Sequence, residues 1–387
     1  MLLNILLPVA FFVYSSAIPS PSIPPHLIGL FSIKDLNLVV LDRVILECLK
    51  TGRCIKVKVS PRLQLGTFHK KLSDFELLFK KHFGSDKSWS IETVSANTVV
   101  IKKKLKNRLS NDISKLVVSV IQEDSDNNYF KVEEEVGYEV IGKAFDKFNT
   151  TELQGLTVPE DIDRFLLWWT NGRFISCDKD LAKKFPSNGS IIKVEHIKNL
   201  KIFTNMLLET GQIPSLAFGT LLGWYRNCGL IPYTTDIDIW VKIEEFKEDF
   251  MNSLKDKKDF RLLRRIGDNE YDREMTIQIP GTTNTYVDVF YRYLHNSTYE
   301  WSGITYGKDS GWARLINLIP TITELCTGDL LGELFFVPCN FIAILETSYG
   351  KTEWLEPQEN YGYTGHDRLV YSDGHWNETL DDVIIHY

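Results

Sequence analysis

The run Asp236-Ile237-Asp238-Ile239-Trp240-Val241 sets two carboxylates into an otherwise apolar, β-branched and aromatic string. In a strand, side chains at i and i+2 share a face, so Asp236 and Asp238 project together while Ile237 and Ile239 point into a core. Their Cα atoms then lie roughly 6.6 Å apart, two rises of about 3.3 Å. Like charges on one face repel, and an unpaired buried carboxylate is costly. A divalent cation relieves both costs, and Mg²⁺ or Mn²⁺ suits the position as a hard ion that binds carboxylates and phosphates. A strand end exposing two solvated aspartates is the plain alternative.

A third carboxylate adds context. Thr285-Tyr286-Val287-Asp288-Val289-Phe290-Tyr291 reads as a buried strand with one Asp at its centre, 50 residues after Asp238. A charge there needs a metal or a partner, and a salt bridge to a nearby arginine is the competing account. Upstream, His196 to Glu209 has helical spacing at Ile197, Leu200, Phe203, Met206 and Leu207, with Thr210-Gly211 ending it. Pro214, a short strand Ser215 to Phe218, the turn Gly219-Thr220 and a second helix follow. Three carboxylates on neighbouring strands beside a Gly-Thr turn fit a two-metal phosphoryl-transfer site. Arg226 is a candidate contact for a donor phosphate or a helix salt bridge, and Tyr233 lines the pocket or shapes the turn. Trp354 and Tyr349, near Gly350, either cover the site or pack.

The rest of the sequence sets the surroundings. With 387 residues, 43% apolar and 25% charged, the chain can build two or three cored domains. Its formal charge of −7 and lack of a long basic block argue against a nucleic-acid partner. Leu2 to Ile18 is nearly all apolar, which reads as a cleaved signal peptide over residues 1–18 or a short type II signal anchor. A Pro/Ser linker covers 19–26. Either reading sends the chain into the secretory pathway, the Golgi or ER lumen. There the acceptors Asn149, Asn188, Asn296 and Asn377 are open to glycosylation. Six cysteines (Cys48, Cys54, Cys177, Cys228, Cys326, Cys339) permit up to three disulfides, whose pairing stays open apart from a local Cys48–Cys54 option.

Residues 27–150 read as a small α/β stem or accessory domain. It has a helical stretch over Leu36 to Leu49, a β-patterned Cys54 to Val59, a solvated Lys102-Lys103-Lys104 face, and a loop with an edge strand over the acidic Glu123 to Glu135. The catalytic portion spans 155–387, and the fold class is α/β (α+β).

Gly219-Thr220, the Asp236/Asp238 pair and Asp288 resemble the motif set of the polymerase β-like nucleotidyltransferase fold. The longer string Phe218 to Arg226, with Gly229 to Ile239, resembles the fukutin/LicD family. So do Val337-Pro338-Cys339 and Tyr349 to Pro357. The resemblance covers 210–360 well, 155–185 weakly and the stem hardly at all. It implies a divalent-metal phosphotransferase moving an alditol phosphate, ribitol 5-phosphate-like, or phosphocholine from a CDP-activated donor to a glycan or glycoprotein acceptor. On this resemblance Asp236 and Asp238 are metal ligands and Asp288 is a third ligand or general base. Gly219 and Thr220 bind donor phosphates through backbone N–H groups. Two other readings stand beside it: a D-x-D glycosyltransferase using a nucleotide sugar, and a non-catalytic binding or chaperone-like protein. The third carboxylate separates the first from the glycosyltransferase.

Overall fold

A computed structural model describes residues 25–52, 62–103, 115–137, 139–281, 285–308, 311–358, 370–375 and 383–387. The apolar segment Leu2–Ile18, the β-patterned Cys54–Val59, Lys104 and Asn377 lie outside them. Among the described residues no helix is long and apolar enough to cross a membrane. The chain divides into two compact units, one running to Val120 and adding Asn149–Ile162, the other made of Ile121–Phe148 and Asp163–Tyr387.

The first unit holds a five-stranded sheet ordered Leu38–Val40, Arg62–Thr67, Lys115–Val120, Thr98–Lys103, Trp89–Thr93. The expected helix over Leu36–Leu49 is split. Asn37 adopts the left-handed conformation at φ 48° after a single 3₁₀ turn, and Leu38-Val39-Val40, with two β-branched valines, pairs antiparallel with Val40 opposite Leu65. A helix starts only at Arg43, where the Asp42 carboxylate accepts the Ile45 N–H at 3.1 Å. Lys102 stays exposed and pairs with Glu92.

In the second unit the acidic stretch forms strands Gln122–Glu123 and Tyr129–Val136, the latter paired along its length with Glu139–Asp146. Helix α1 (Ile162–Thr170) follows, and α2 (Val194–Glu209) takes up the helical spacing read above, burying Ile197, Leu200, Phe203 and Leu207. Next come β1 (Ser215–Leu216), α3 (Phe218–Asn227), β2 (Asp236–Lys242), β3 (Arg261–Ile266), β4 (Glu274–Gln278), β5 (Tyr286–Leu294), β6 (Tyr299–Lys308) and β7 (Gly311–Pro320). A hairpin of β8 (Leu325–Leu330) and β9 (Glu333–Pro338), helix α4 (Phe341–Tyr349), β10 (Val370–His375) and β11 (Ile384–His386) complete it.

The large sheet is ordered β10-β7-β6-β5-β4-β3-β11, and β2 joins the free flank of β5 with β1 outside it. Strand β2 is parallel to β5, while β4 pairs antiparallel on the other side of β5. Ile237, Ile239, Val287 and Val289 are fully buried among Leu221, Trp224 and Phe203 from the helices. Each such side chain contributes roughly 1.5–3 kcal/mol on burial, so β2 and β5 are pinned in register by apolar neighbours on either side of each aspartate. Two disulfides fasten the periphery: Cys177–Cys228 at the end of α3 and Cys326–Cys339 across the β8–β9 hairpin. Cys48 is also disulfide-bonded, while the Cys54 half of the local option lies outside the described residues.

Candidate active site

The parallel register places Asp236 opposite Tyr286 and Asp238 opposite Asp288. One carboxylate oxygen from each of Asp236, Asp238 and Asp288 lies within 4.8 Å of the other two. Asp238 is only 6% exposed. Beneath it the same face of β2 continues as Trp240, which meets Phe218 edge to face at 4.9 Å, while Phe218 also packs on Phe290. This apolar floor withdraws water from the carboxylates.

Gly219 and Thr220 are not a free turn. Helix α3 begins at Phe218, whose φ of 38° is left-handed, so both residues fall in the first helical turn. The Phe218 ring, wedged between Trp240 and Phe290, holds that conformation against its steric cost. The Gly219 N–H donates to the Asp238 carboxylate. The buried Thr220 hydroxyl accepts the Asp238 N–H at 2.8 Å, which locks the helix start to β2. The Thr234 hydroxyl donates to Asp236 Oδ1 at 2.8 Å.

Three residues without a sequence motif complete the surroundings. Thr276 stands opposite Asp288 in the β4–β5 register and donates its hydroxyl to Asp288 Oδ1 at 2.5 Å. Arg264 on β3 donates Nε to Thr276 and Nη2 to Glu274, at 2.8 and 3.0 Å. Burial pushes the Asp238 carboxyl well above the ordinary carboxylate range, and Asp236, Asp288 and Glu274 add to the shift. Asp288 is raised by burial, against the pull of the Thr276 hydroxyl and Arg264. Glu274 is raised by burial and by Asp288 and Asp272.

Other residues singled out by sequence lie as follows. Arg226 is 2% exposed and donates to the Trp354 carbonyl at 2.9 Å and to Asn227 Oδ1 at 3.1 Å, so its guanidinium is directed into the fold. Trp354 is buried beside Tyr225. Tyr233 is 52% exposed, with its hydroxyl on the Gln358 carbonyl at 3.3 Å. Asn149, Asn188 and Asn296 are exposed.

Three converging carboxylates, two of them with raised proton affinity because burial and mutual repulsion disfavour their charge, form a donor set that suits a hard divalent cation. The acidic centre sits on two parallel strands beside a helix start. Residues 215–340 match the family model described as the LicD/FKTN/FKRP nucleotidyltransferase domain, and all three aspartates fall within it. The chain is homologous to fukutin. The human Ribitol-5-phosphate transferase FKTN is 29% identical over 253 residues, 62% of this chain and 53% of that protein, and the mouse protein is 28% identical over the same length. An uncharacterized protein of Caenorhabditis elegans is 29% identical over 241 residues, 60% of this chain and 61% of its own length. The chain thus spans between half and two-thirds of these relatives. The crystal structure of the Megavirus polyadenylate synthase aligns over 85% of this chain and 64% of its own at a TM-score of 0.24 and 10% identity, too loose to bear on the fold.

Proposed function

We propose that this chain is a divalent-metal-dependent glycan phosphotransferase. It moves an alditol phosphate, or a related group such as phosphocholine, from a CDP-activated donor to a hydroxyl of a protein-linked glycan. The observation that carries this reading is the gathering of Asp236, Asp238 and Asp288 within 4.8 Å inside the stretch that matches the LicD/FKTN/FKRP domain.

Asp236 and Asp238, with Asp288 beside them, would hold Mg²⁺ or Mn²⁺, which would supply neutralisation of the phosphoryl charge and acidification of the attacking hydroxyl. The chain's own residues do the rest. The N–H at Gly219 orients Asp238, and Thr234 orients Asp236. Thr276 fixes Oδ1 of Asp288, whose other oxygen serves either as the third ligand or as the base for the acceptor hydroxyl. The half-exposed Tyr233 ring, next to Thr234, offers a surface for the donor. Thr220, at the start of α3, presents its backbone to the donor phosphates, while the Gly219 N–H is engaged by Asp238 instead of a phosphate. Arg226 serves the donor side by holding the Trp354 turn. The two disulfides and the exposed acceptors Asn149, Asn188 and Asn296 support an oxidising secretory lumen, Golgi or ER, as the setting. On this reading the domains are the 27–150 stem and the 155–387 catalytic portion.

A donor screen with the purified chain and Mn²⁺ tests the proposal. Release of CMP from CDP-ribitol, CDP-glycerol or CDP-choline in the presence of glycan acceptors, lost in Asp238→Asn, is the expected result. Release of UDP or GDP from nucleotide sugars, or inertness toward every donor and acceptor pair, overturns it.

A further inference from the structure

A cleft of about 740 Å³ opens on the second unit, between α2, the turn at 125–128 and the Leu331–Glu333 tip of the β8–β9 hairpin. That size falls in the range of ligand clefts, roughly 300–1,000 Å³. None of its lining residues belongs to the aspartate centre.

Its floor is a closed polar network. Lys201, 6% exposed, donates Nζ to Asp146 Oδ1 at 2.6 Å and to the Leu334 carbonyl at 2.8 Å, and lies 4.3 Å above the Trp168 ring. Arg164 Nη2 donates to Asp146 Oδ2 at 2.9 Å and to Asn205 Oδ1 at 2.8 Å. Both oxygens of Asp146 are therefore held, and the two cations share that one carboxylate. At the opposite wall Asn128 donates to the buried Glu333 at 3.2 Å. Lys147, at the rim, pairs with Glu123.

The charges lining the cleft nearly cancel, four cationic side chains against three carboxylates. A phosphate or nucleotide needs several unengaged positive donors, and here Lys201 and Arg164 spend theirs on Asp146 and neighbouring oxygens while Lys147 pairs with Glu123. A cation needs converging carboxylates, and each buried one here is hydrogen-bonded. The groups that donate and accept side by side are the Asn127 amide, the Nδ2 of Asn205, the Lys198 ammonium and the Asp126 carboxylate, whose Oδ1 also accepts the Ser125 hydroxyl. The exposed aliphatic side chains of Val194 and Ile202 border them. Sugar hydroxyls donate and accept at once, and the ring C–H faces of a sugar pack on aliphatic carbon.

We propose that this cleft is a binding site for a neutral, hydroxyl-rich ligand, a short stretch of carbohydrate, held by Asn127, Asn205 and Lys198 over a pre-ordered Lys201–Asp146–Arg164 floor. The site stands apart from the reading of the aspartate centre.

Saturation-transfer NMR and calorimetry on the purified full chain, with mannotriose, cellotriose and N-acetylchitotriose as probes, test it. At least one saccharide binds. Ile202→Trp, which fills the cleft from an exposed position on α2, and Asn127→Ala each weaken that binding, the Trp variant roughly tenfold or more, equivalent to 1.4 kcal/mol. Circular-dichroism melting of both variants stays at the parent value, so a loss of binding is not a loss of fold. The proposal is overturned if no neutral saccharide binds, or if binding survives Ile202→Trp undiminished. It is equally overturned if inorganic phosphate or CMP occupies the cleft in preference to every sugar.

Discussion

Asp238 and Asp288, far apart in sequence, are direct register partners on two parallel strands. Parallel pairing requires a crossover between the strands, and here that connection carries β3 and β4, which return to the far side of β5. The same connection that makes the parallel pair therefore delivers Arg264, Glu274 and Thr276 to the flank of Asp288. The centre is built from both sides of one strand.

Because burial and its neighbours disfavour charge on Asp238, the cation-free protein carries a cost that an amide does not. Asp238→Asn is expected to leave the cation-free fold as stable as the parent or more so. It should also abolish the rise in melting temperature that Mn²⁺ gives the parent. Melting scans with and without Mn²⁺ decide this. A variant that melts lower without the ion and still responds to it would mean that Asp238 is a structural hydrogen-bond acceptor and no ligand.

Thr276 links Arg264 to Asp288 through one hydroxyl. Thr276→Val keeps the volume of the side chain but frees Asp288 Oδ1, so Asp288 loses a group that favours its charged form. Outer-shell changes of this kind cost about 10–100-fold in metal affinity, and Thr276→Ser should restore most of it. A Mn²⁺ titration followed by electron paramagnetic resonance reads the effect. Equal affinities for the Val and Ser variants would reduce Thr276 to packing.

Asp272 gives a pH dependence of defined sign. It sits at φ 52°, almost fully buried, with Oδ2 accepting the Thr305 hydroxyl and Oδ1 without a hydrogen-bond partner among the described residues. Burial raises its carboxyl to about 7. The folded state thus holds its proton more tightly than the unfolded chain, whose carboxyl titrates near 3.9. Its contribution to stability is present below about 4 and is lost as pH rises toward about 7. Asparagine tolerates the left-handed backbone and cannot ionise, so Asp272→Asn should remove this loss. Urea midpoints measured across that window, compared between parent and variant, read the effect together with the relief of Glu274, which the Asp272 charge also raises. Parallel curves would place the titration elsewhere.

The aspartate pair was legible in the sequence because strand alternation alone puts Asp236 and Asp238 on one face. Asp288 was legible as a lone charge among β-branched and aromatic residues. The supporting residues were not. Arg261–Ile266 and Glu274–Gln278 carry no motif in the sequence and are strands in the structure, and only the antiparallel register puts Thr276 opposite Asp288. Gly219-Thr220 looked like a turn because Gly so often marks one. Instead, the strained backbone sits one residue earlier, at Phe218, where aromatic packing overrides local preference. The same lesson holds at Asn37, where one left-handed residue cuts a helical pattern that the spacing alone would carry through.

Gly223 tests how tightly the helix bearing Gly219 is coupled to the loop that leads into Asp236. A Cβ at this position would lie 2.9 Å from the Ile231 N and 3.0 Å from the Gly229 carbonyl oxygen, both backbone atoms that cannot swing aside. Gly223→Ala gains helix propensity of up to about 1 kcal/mol, yet overpacking of this kind typically costs about 1–3 kcal/mol, so the net change should be destabilising. The strain has one outlet, displacement of residues 229–231, and through them Thr234, whose N–H bonds the Ile231 carbonyl and whose hydroxyl holds Asp236. Weaker Mn²⁺ binding should therefore accompany the lower melting temperature. A control at Gly211, whose positive φ is strained by any side chain but which makes no such close approach, should lower the melting temperature without touching ion affinity. If Gly223→Ala melts like the parent, or if the Gly211 variant loses Mn²⁺ as well, the proposed coupling between α3 and the aspartate loop fails.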